Sequence, residues 1–207
     1  MIHKIIDKDL VFEQDISWEN VVDEWVKREG GTWDDHWKPA GYTSLWHWRK
    51  ALLRKYGFEP LGLEKLEWRQ CIVKDPAQTA TQFYSGPYSG WVKYRNDDQR
   101  QSTPFAEHLQ NEQFMSVPDF ENRISTFGRR PRETAIALRD PKTMKTVLVD
   151  GHHTVGSFAK LGATDRSTDV ELELHIADIQ PEDHELFEQW MQGDVPLVEV
   201  SPNSIVA

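Results

Sequence analysis

The segment TVLVDGHHTVGSFAKLG, Thr146 to Gly162, places an acid and two imidazoles where a strand gives way to a helix. Val147, Leu148 and Val149 are strand formers, and Asp150, Gly151, His152 and His153 follow directly. A helix that starts at such a turn leaves backbone N–H groups without partners, and its dipole favours an anion there. Gly151 lacks the Cβ that would obstruct a phosphate, His152 and His153 add ring donors, and Thr154 adds a hydroxyl. Asp150 would repel a phosphate unless a cation bridged them, so it points to Mg²⁺, or to a substrate hydroxyl or amine. The plainer alternative is that Asp150 caps the helix and the histidines are ordinary polar residues. Convergence of so many polar or permissive residues on one turn favours a functional site. A metal held by the histidines is disfavoured, because adjacent side chains at a helix start diverge and no cysteine or further histidine stands at ligand spacing.

The surrounding pattern supplies the elements that must hold this turn. ETAIALRD and KTVLVDG read as two strands of a hairpin joined by PKTM, and HHTVGSFAKLG reads as the helix that follows. DVELELHIADI alternates, with Val170, Leu172, Leu174 and Ile176 on one face, and PEDHELFEQWMQG reads as a closing helix. Earlier, Trp18, Val21, Val22, Trp25 and Val26 recur at helical spacing after Ser17, and Gly30-Gly31 stops them. A second helix is predicted over 44–56, with Leu45, Trp48, Leu52 and Tyr56 as its stripe and Gly57 as its cap. Leu63 to Val73 reads as the first strand. Pro104 opens a helix, and another runs over 119–127 on Phe120, Ile124 and Phe127, ending at Gly128.

Composition narrows the function classes. The 207 residues carry one cysteine, Cys71, so an internal disulfide is impossible and a reducing compartment is expected. No apolar run approaches the roughly 20 residues of a membrane span, and the charged N-terminus does not read as a secretory signal. A cytoplasmic protein is the expectation. The net charge of −10 resides in residues 167–207, which hold ten acids and no Lys or Arg. That stretch reads as a solvated acidic face and argues against, without excluding, nucleic-acid binding. Eight of the nine tryptophans fall in the first 91 residues, and such aromatic surface allows a homodimer.

At the Asp-Gly-His-His turn the chain resembles the ParB/sulfiredoxin-like superfamily, over about Arg132 to Ile179. The resemblance is to the Asp-Gly-His-His-Arg version found in ParB-like nuclease domains and in nucleotide-dependent free-serine kinases. It implies an α+β fold, a mixed sheet with flanking helices, whose turn holds nucleotide phosphates. Thr154 stands where the family usually has Arg. A sulfiredoxin would need a cysteine in the turn, the partition CTPases carry a different Gly-Glu-Arg-Arg turn, and no helix-turn-helix follows.

On this basis residues 1–62 are expected to form a helical, Trp-rich extension packed on a ParB/sulfiredoxin-like domain of residues 63–207. The expected activity is Mg²⁺-dependent phosphotransfer from ATP or ADP to a small hydroxyl-bearing molecule, or nucleotide hydrolysis. Asp150, His152 and His153 would be catalytic, and Asp150 would hold the metal. Gly151, His152, His153, Thr154, Arg129 and Arg130 would bind the nucleotide. Arg129, Arg130 and Arg132 replace the missing motif arginine, or else form a solvated basic loop. FYSGPYSGW is either a lid or a substrate loop, with Gly86 and Gly90 giving mobility and Tyr84, Tyr88 and Trp91 giving stacking surface, or aromatic packing under a long loop. TWDDHW either binds a cation or sugar, or simply joins two helices. Glu67 and Asp75 are guesses for the general base. The rival functions are a ParB-like nucleic-acid protein or nuclease, and a non-catalytic anion- or nucleotide-binding protein.

Overall fold

A computed structural model describes residues 8–95, 99–129 and 132–202. Five strands form one mixed sheet: β1 (Leu10–Ile16), β2 (Trp68–Val73), β3 (Arg132–Arg139), β4 (Thr146–Asp150) and β5 (Glu171–Asp178). Their order is β1-β2-β5-β3-β4, antiparallel except for the β3–β5 pair. The longer helices are α1 (Trp18–Glu29), α2 (Leu45–Lys55), α3 (Pro118–Thr126), α4 (His152–Ala163) and α5 (His184–Met191), with short helical turns between them. The expected mixed architecture is therefore present, with helices on both faces of the sheet.

Alternation along the central strands assigns the two faces. Ala135, Ala137, Leu148, Leu172, Leu174 and Ile176 pack with Val155, Phe158 and Ala159 of α4. Ile136, Leu138, Val147, Val149 and Ala177 pack instead with Val21 and Trp25 of α1 and with Phe187 and Trp190 of α5. Ser17 and Ser44 cap α1 and α2, accepting from the N–H groups of Asn20 and His47. Both helices end where the glycine signals place them.

Two boundaries differ from expectation. The first 62 residues are not helical throughout, because Leu10–Ile16 pairs along β2 as the edge strand. Five of its seven residues face solvent, which leaves almost no alternating signal to read. The strand predicted over Leu63–Val73 begins at Trp68, and a 3-10 turn occupies Leu63–Lys65. Nor is the acidic stretch one solvated face. Asp178 accepts from Arg139 and Arg69, each at 2.6 Å, and Glu188 accepts from Lys145 at 3.0 Å. Among the described residues, no helix is long and apolar enough to cross a membrane.

Candidate functional site

The register of β4 decides where Asp150 points. Ala137 lies opposite Leu148, but Ile136 lies opposite Asp150, so one extra residue is accommodated on β4. A bulge of this kind re-aims the side chain that follows it. Asp150 is turned towards α1, where Arg28 Nη2 donates to its Oδ2 at 2.9 Å. Burial alone would raise the Asp150 pKa. The Arg28 and Arg49 guanidiniums and His152 outweigh burial and hold it below the usual carboxylate range.

Gly151 sits at φ +87° as the N-cap of α4, and no side chain caps this helix. A Cβ there would stand 2.6 Å from the Ala135 Cβ and 2.8 Å from its Cα. The glycine is therefore required by the left-handed turn and by its packing on β3, a nearer reason than the approach of a phosphate. Asp150 does not cap the helix as the plainer reading had it.

His152 Nε2 donates to the Ser85 carbonyl, which fixes the proton on that nitrogen and leaves Nδ1 as an acceptor. Its ring meets Tyr88 edge-on at 4.8 Å and tilts against Trp91 at 5.3 Å. Burial lowers its pKa to about 4, against the opposing pull of Asp150, so the imidazole is neutral at pH 7. His153 is more open, with Asp119 Oδ2 4.0 Å from its Nε2. Burial lowers its pKa too, so it also favours the neutral form. Thr154 is buried.

A cleft of about 510 Å³ opens on this turn. Gly151, His152, His153 and Thr154 form one wall, and Arg123, Arg129 and Glu133 come from the α3–β3 side. Arg28, Glu29 and Trp33 come from the N-terminal helices. Arg123 stands 3.6 Å from Glu133, whereas Arg129 is exposed and has no side-chain partner among the described residues. A second cavity of about 450 Å³ shares Trp33, Trp91, Asp150 and His152 with the first, and is walled by Trp25, Trp48, Tyr56 and Tyr88. The two are halves of one cleft, one charged and one aromatic, and Asp150 and His152 stand at the join. A larger groove of about 730 Å³ between α1 and α2 gathers no comparable set of convergent polar groups around a turn.

Several expected site residues lie elsewhere. Arg130 is outside the described residues. Arg132 turns away to the far edge of the sheet, where it donates to Glu13, Glu171 and Glu173. Glu67 is exposed before β2 and Asp75 caps a helical turn, so neither lines the cleft. FYSGPYSGW is packed in its middle, where Ser85, Gly86 and Pro87 are buried and a Cβ at Gly86 would meet the Tyr88 ring at 2.6 Å, while its Tyr88 and Trp91 do line the cleft. The Tyr88 hydroxyl donates to the Val149 carbonyl at 3.0 Å. In TWDDHW, Asp34 is taken by Lys38 and by Trp37 Nε1, while Thr32 and Trp33 line the cleft.

Arg28, Arg49 and Glu29 were not singled out from the sequence, and Trp33 was met there only as part of TWDDHW. Arg49 is bidentate on Glu29 and lies 4.9 Å from the Trp48 ring and 5.0 Å from the Trp25 ring. Burial, then the charge of Asp150, raises the Glu29 pKa against the pull of Arg49. A basic last turn on α1 was the only local signal for Arg28. Compared with known proteins, the chain matches no family model, no curated protein and no solved structure.

Proposed function

We propose that the cleft binds a nucleotide, with its phosphates at the start of α4 and its base in the aromatic half. The observation that carries this reading is the join of the two halves at Asp150 and His152. Uncapped helix N–H groups, Arg129 and Arg123 suit phosphate oxygens. Trp33, Trp48, Tyr88 and Trp91 supply flat apolar surface for a ring. The combined volume lies within the range of small-molecule sites, roughly 300–1,000 Å³. The order β4, Asp-Gly-His-His turn, α4, β5 supports a ParB/sulfiredoxin-like reading of the fold.

The donor set fits an anion better than a protein-held Mg²⁺. Asp150 is already neutralised by Arg28, and it belongs to neither group of three ligand-capable residues found among the described residues. Mg²⁺ would enter, if at all, on the phosphates of the nucleotide. Asp150 then acts as a positioning residue that holds Arg28 at the rim of the cleft. For transfer from ATP to a small alcohol, the bond from the terminal phosphorus to the leaving ADP breaks as the bond to the acceptor oxygen forms. The acceptor proton would pass to the neutral imidazole of His153.

The test is calorimetric titration with ATP, ADP, CTP and GTP, each with and without Mg²⁺. Wild type, Arg129→Ala and Trp33→Ala would be compared. Saturable binding is expected, weakened at least about tenfold by Arg129→Ala, since one charge-assisted hydrogen bond contributes about 1.5–3 kcal/mol. No binding by any nucleotide, or binding indifferent to both substitutions, would sink the reading.

A further inference from the structure

β5 carries a second polar face that the cleft does not use. Glu173 and His175 point to the α1 side, one residue apart from the apolar Leu172, Leu174 and Ile176. Glu24, one helical turn before Arg28 on α1, reaches the same place. His175 is fully buried, with 0 % of its surface exposed, yet neither of its ring nitrogens makes a hydrogen bond. Glu24 Oε2 and Glu173 Oε1 nonetheless stand 3.2 and 3.3 Å from His175 Nε2. The two carboxylates flank the ring nitrogen without lying along its N–H direction. A buried imidazole left so is costly unless something else meets its nitrogen.

We propose that Glu24, Glu173 and His175 form a binding site for a zinc-class divalent cation. A tetrahedral ion with bonds of about 2.0–2.1 Å sets neighbouring ligand atoms about 3.3–3.4 Å apart. The two measured separations agree with that spacing. An octahedral Mg²⁺ at about 2.0–2.1 Å would draw adjacent ligands to about 2.9 Å and prefers oxygen to imidazole. The surroundings orient the ligands as an outer shell does. Gln70 Nε2 donates to Glu173 Oε2 at 2.7 Å and Arg132 Nη1 donates to it at 3.3 Å, while Oε1, which accepts one long hydrogen bond from Thr134 Oγ1 at 3.4 Å, faces His175. Glu24 is 53 % exposed in its side chain, so the site has an entrance and room for a fourth, exchangeable ligand.

A second group, Asp140, His184 and Glu188, shows what a self-satisfied cluster looks like. His184 Nδ1 meets Asp140 Oδ2 at 2.9 Å, Thr143 donates to the same carboxylate, and Lys145 covers Glu188. Its imidazole is already engaged through Nδ1, and it serves as the internal control.

The full chain, dialysed against a chelator and then against buffer, is titrated with Zn²⁺, Co²⁺ and Mg²⁺. Calorimetry gives the stoichiometry, and the visible spectrum of Co²⁺ reports four-coordination. One equivalent of Zn²⁺ and of Co²⁺ is expected, with Mg²⁺ far weaker. His175→Ala and Glu24→Gln should each weaken Zn²⁺ binding by at least about tenfold. Glu24 lies on the exposed side of α1, so Glu24→Gln tests the site even if His175→Ala fails to fold. His184→Ala should leave Zn²⁺ binding unchanged. Absence of saturable Zn²⁺ or Co²⁺ binding, or binding indifferent to Glu24→Gln, would overturn the proposal. So would loss of binding in His184→Ala alone. None of these outcomes depends on the nucleotide reading, which is tested at Arg129 and Trp33.

Discussion

The two faces of β5 are made from one six-residue alternation, Glu171–Ile176, and do opposite work. Leu172, Leu174 and Ile176 meet Val155, Phe158 and Ala159 of α4 in close apolar contact. Glu171, Glu173 and His175, interleaved with them, meet Arg132 of β3, Gln70 of β2 and Glu24 of α1. The Asp150 side chain joins this second face only because β4 carries an extra residue opposite Ile136. On the α4 face each side chain gains from burial wherever it lands. On the α1 face each charge needs a particular partner, so that face is where chemistry can be built.

Four substitutions or conditions sharpen or break this contrast. The largest effect is expected from Phe158→Ala, which empties the fully buried α4 face. Urea unfolding should show a loss of about 3–5 kcal/mol, with Zn²⁺ binding unaltered in the folded fraction. A loss below about 1 kcal/mol would mean that the α4 face does not carry the fold.

Acid should come next. His108 is buried on the α4 side beside Ser85, whose hydroxyl lies 2.9 Å from its Nε2. Burial lowers its pKa from 6.5 to about 4, so the unfolded chain takes up the proton first. Stability is then complete above pH 6.5, falls as pH drops through that value, and levels off below about 4 for this group. His152 adds a loss of the same sign over the same window. The His108 contribution is roughly 3 kcal/mol at most, at about 1.4 kcal/mol per unit. Denaturant midpoints at pH 7 and pH 5 check it, and His108→Gln should flatten the difference. Equal slopes in the two proteins would remove His108 from the account.

Gly151→Ala should cost about 1–3 kcal/mol, since an L residue at φ +87° is strained and its Cβ meets Ala135. Thermal melting reads the loss. A neutral result would return Gly151 to the role of clearing space for a ligand. The smallest stability effect is expected from Arg129→Ala, within about 0.5 kcal/mol, because the side chain is exposed and without a side-chain partner among the described residues. Its effect should appear instead in nucleotide affinity and in the salt dependence of that affinity.

Much of this protein is written locally. Ser17 and Ser44 cap the helices that their positions announce, and the PKTM turn joins the β3–β4 hairpin. Phe120, Ile124 and Phe127 mark α3, and the alternation of DVELELHIADI marks β5. The Asp-Gly-His-His turn stands at a strand-to-helix junction, as its residue types require. These features rest on interactions that span a few residues, so a short window of sequence contains both partners.

The tertiary structure alone decided which groups satisfy the charges. Asp150 is met by Arg28, 122 residues earlier, and Arg132 is drawn away from the turn by Glu13, 119 residues earlier. The edge strand Leu10–Ile16 exists through its pairing with β2, and His175 meets Glu24 only because α1 lies across the sheet. Backbone periodicity reports which face a side chain occupies, since the repeat is set by bond geometry. It carries no record of which distant side chain will cover that face, because an ion pair depends on where two remote segments come to rest.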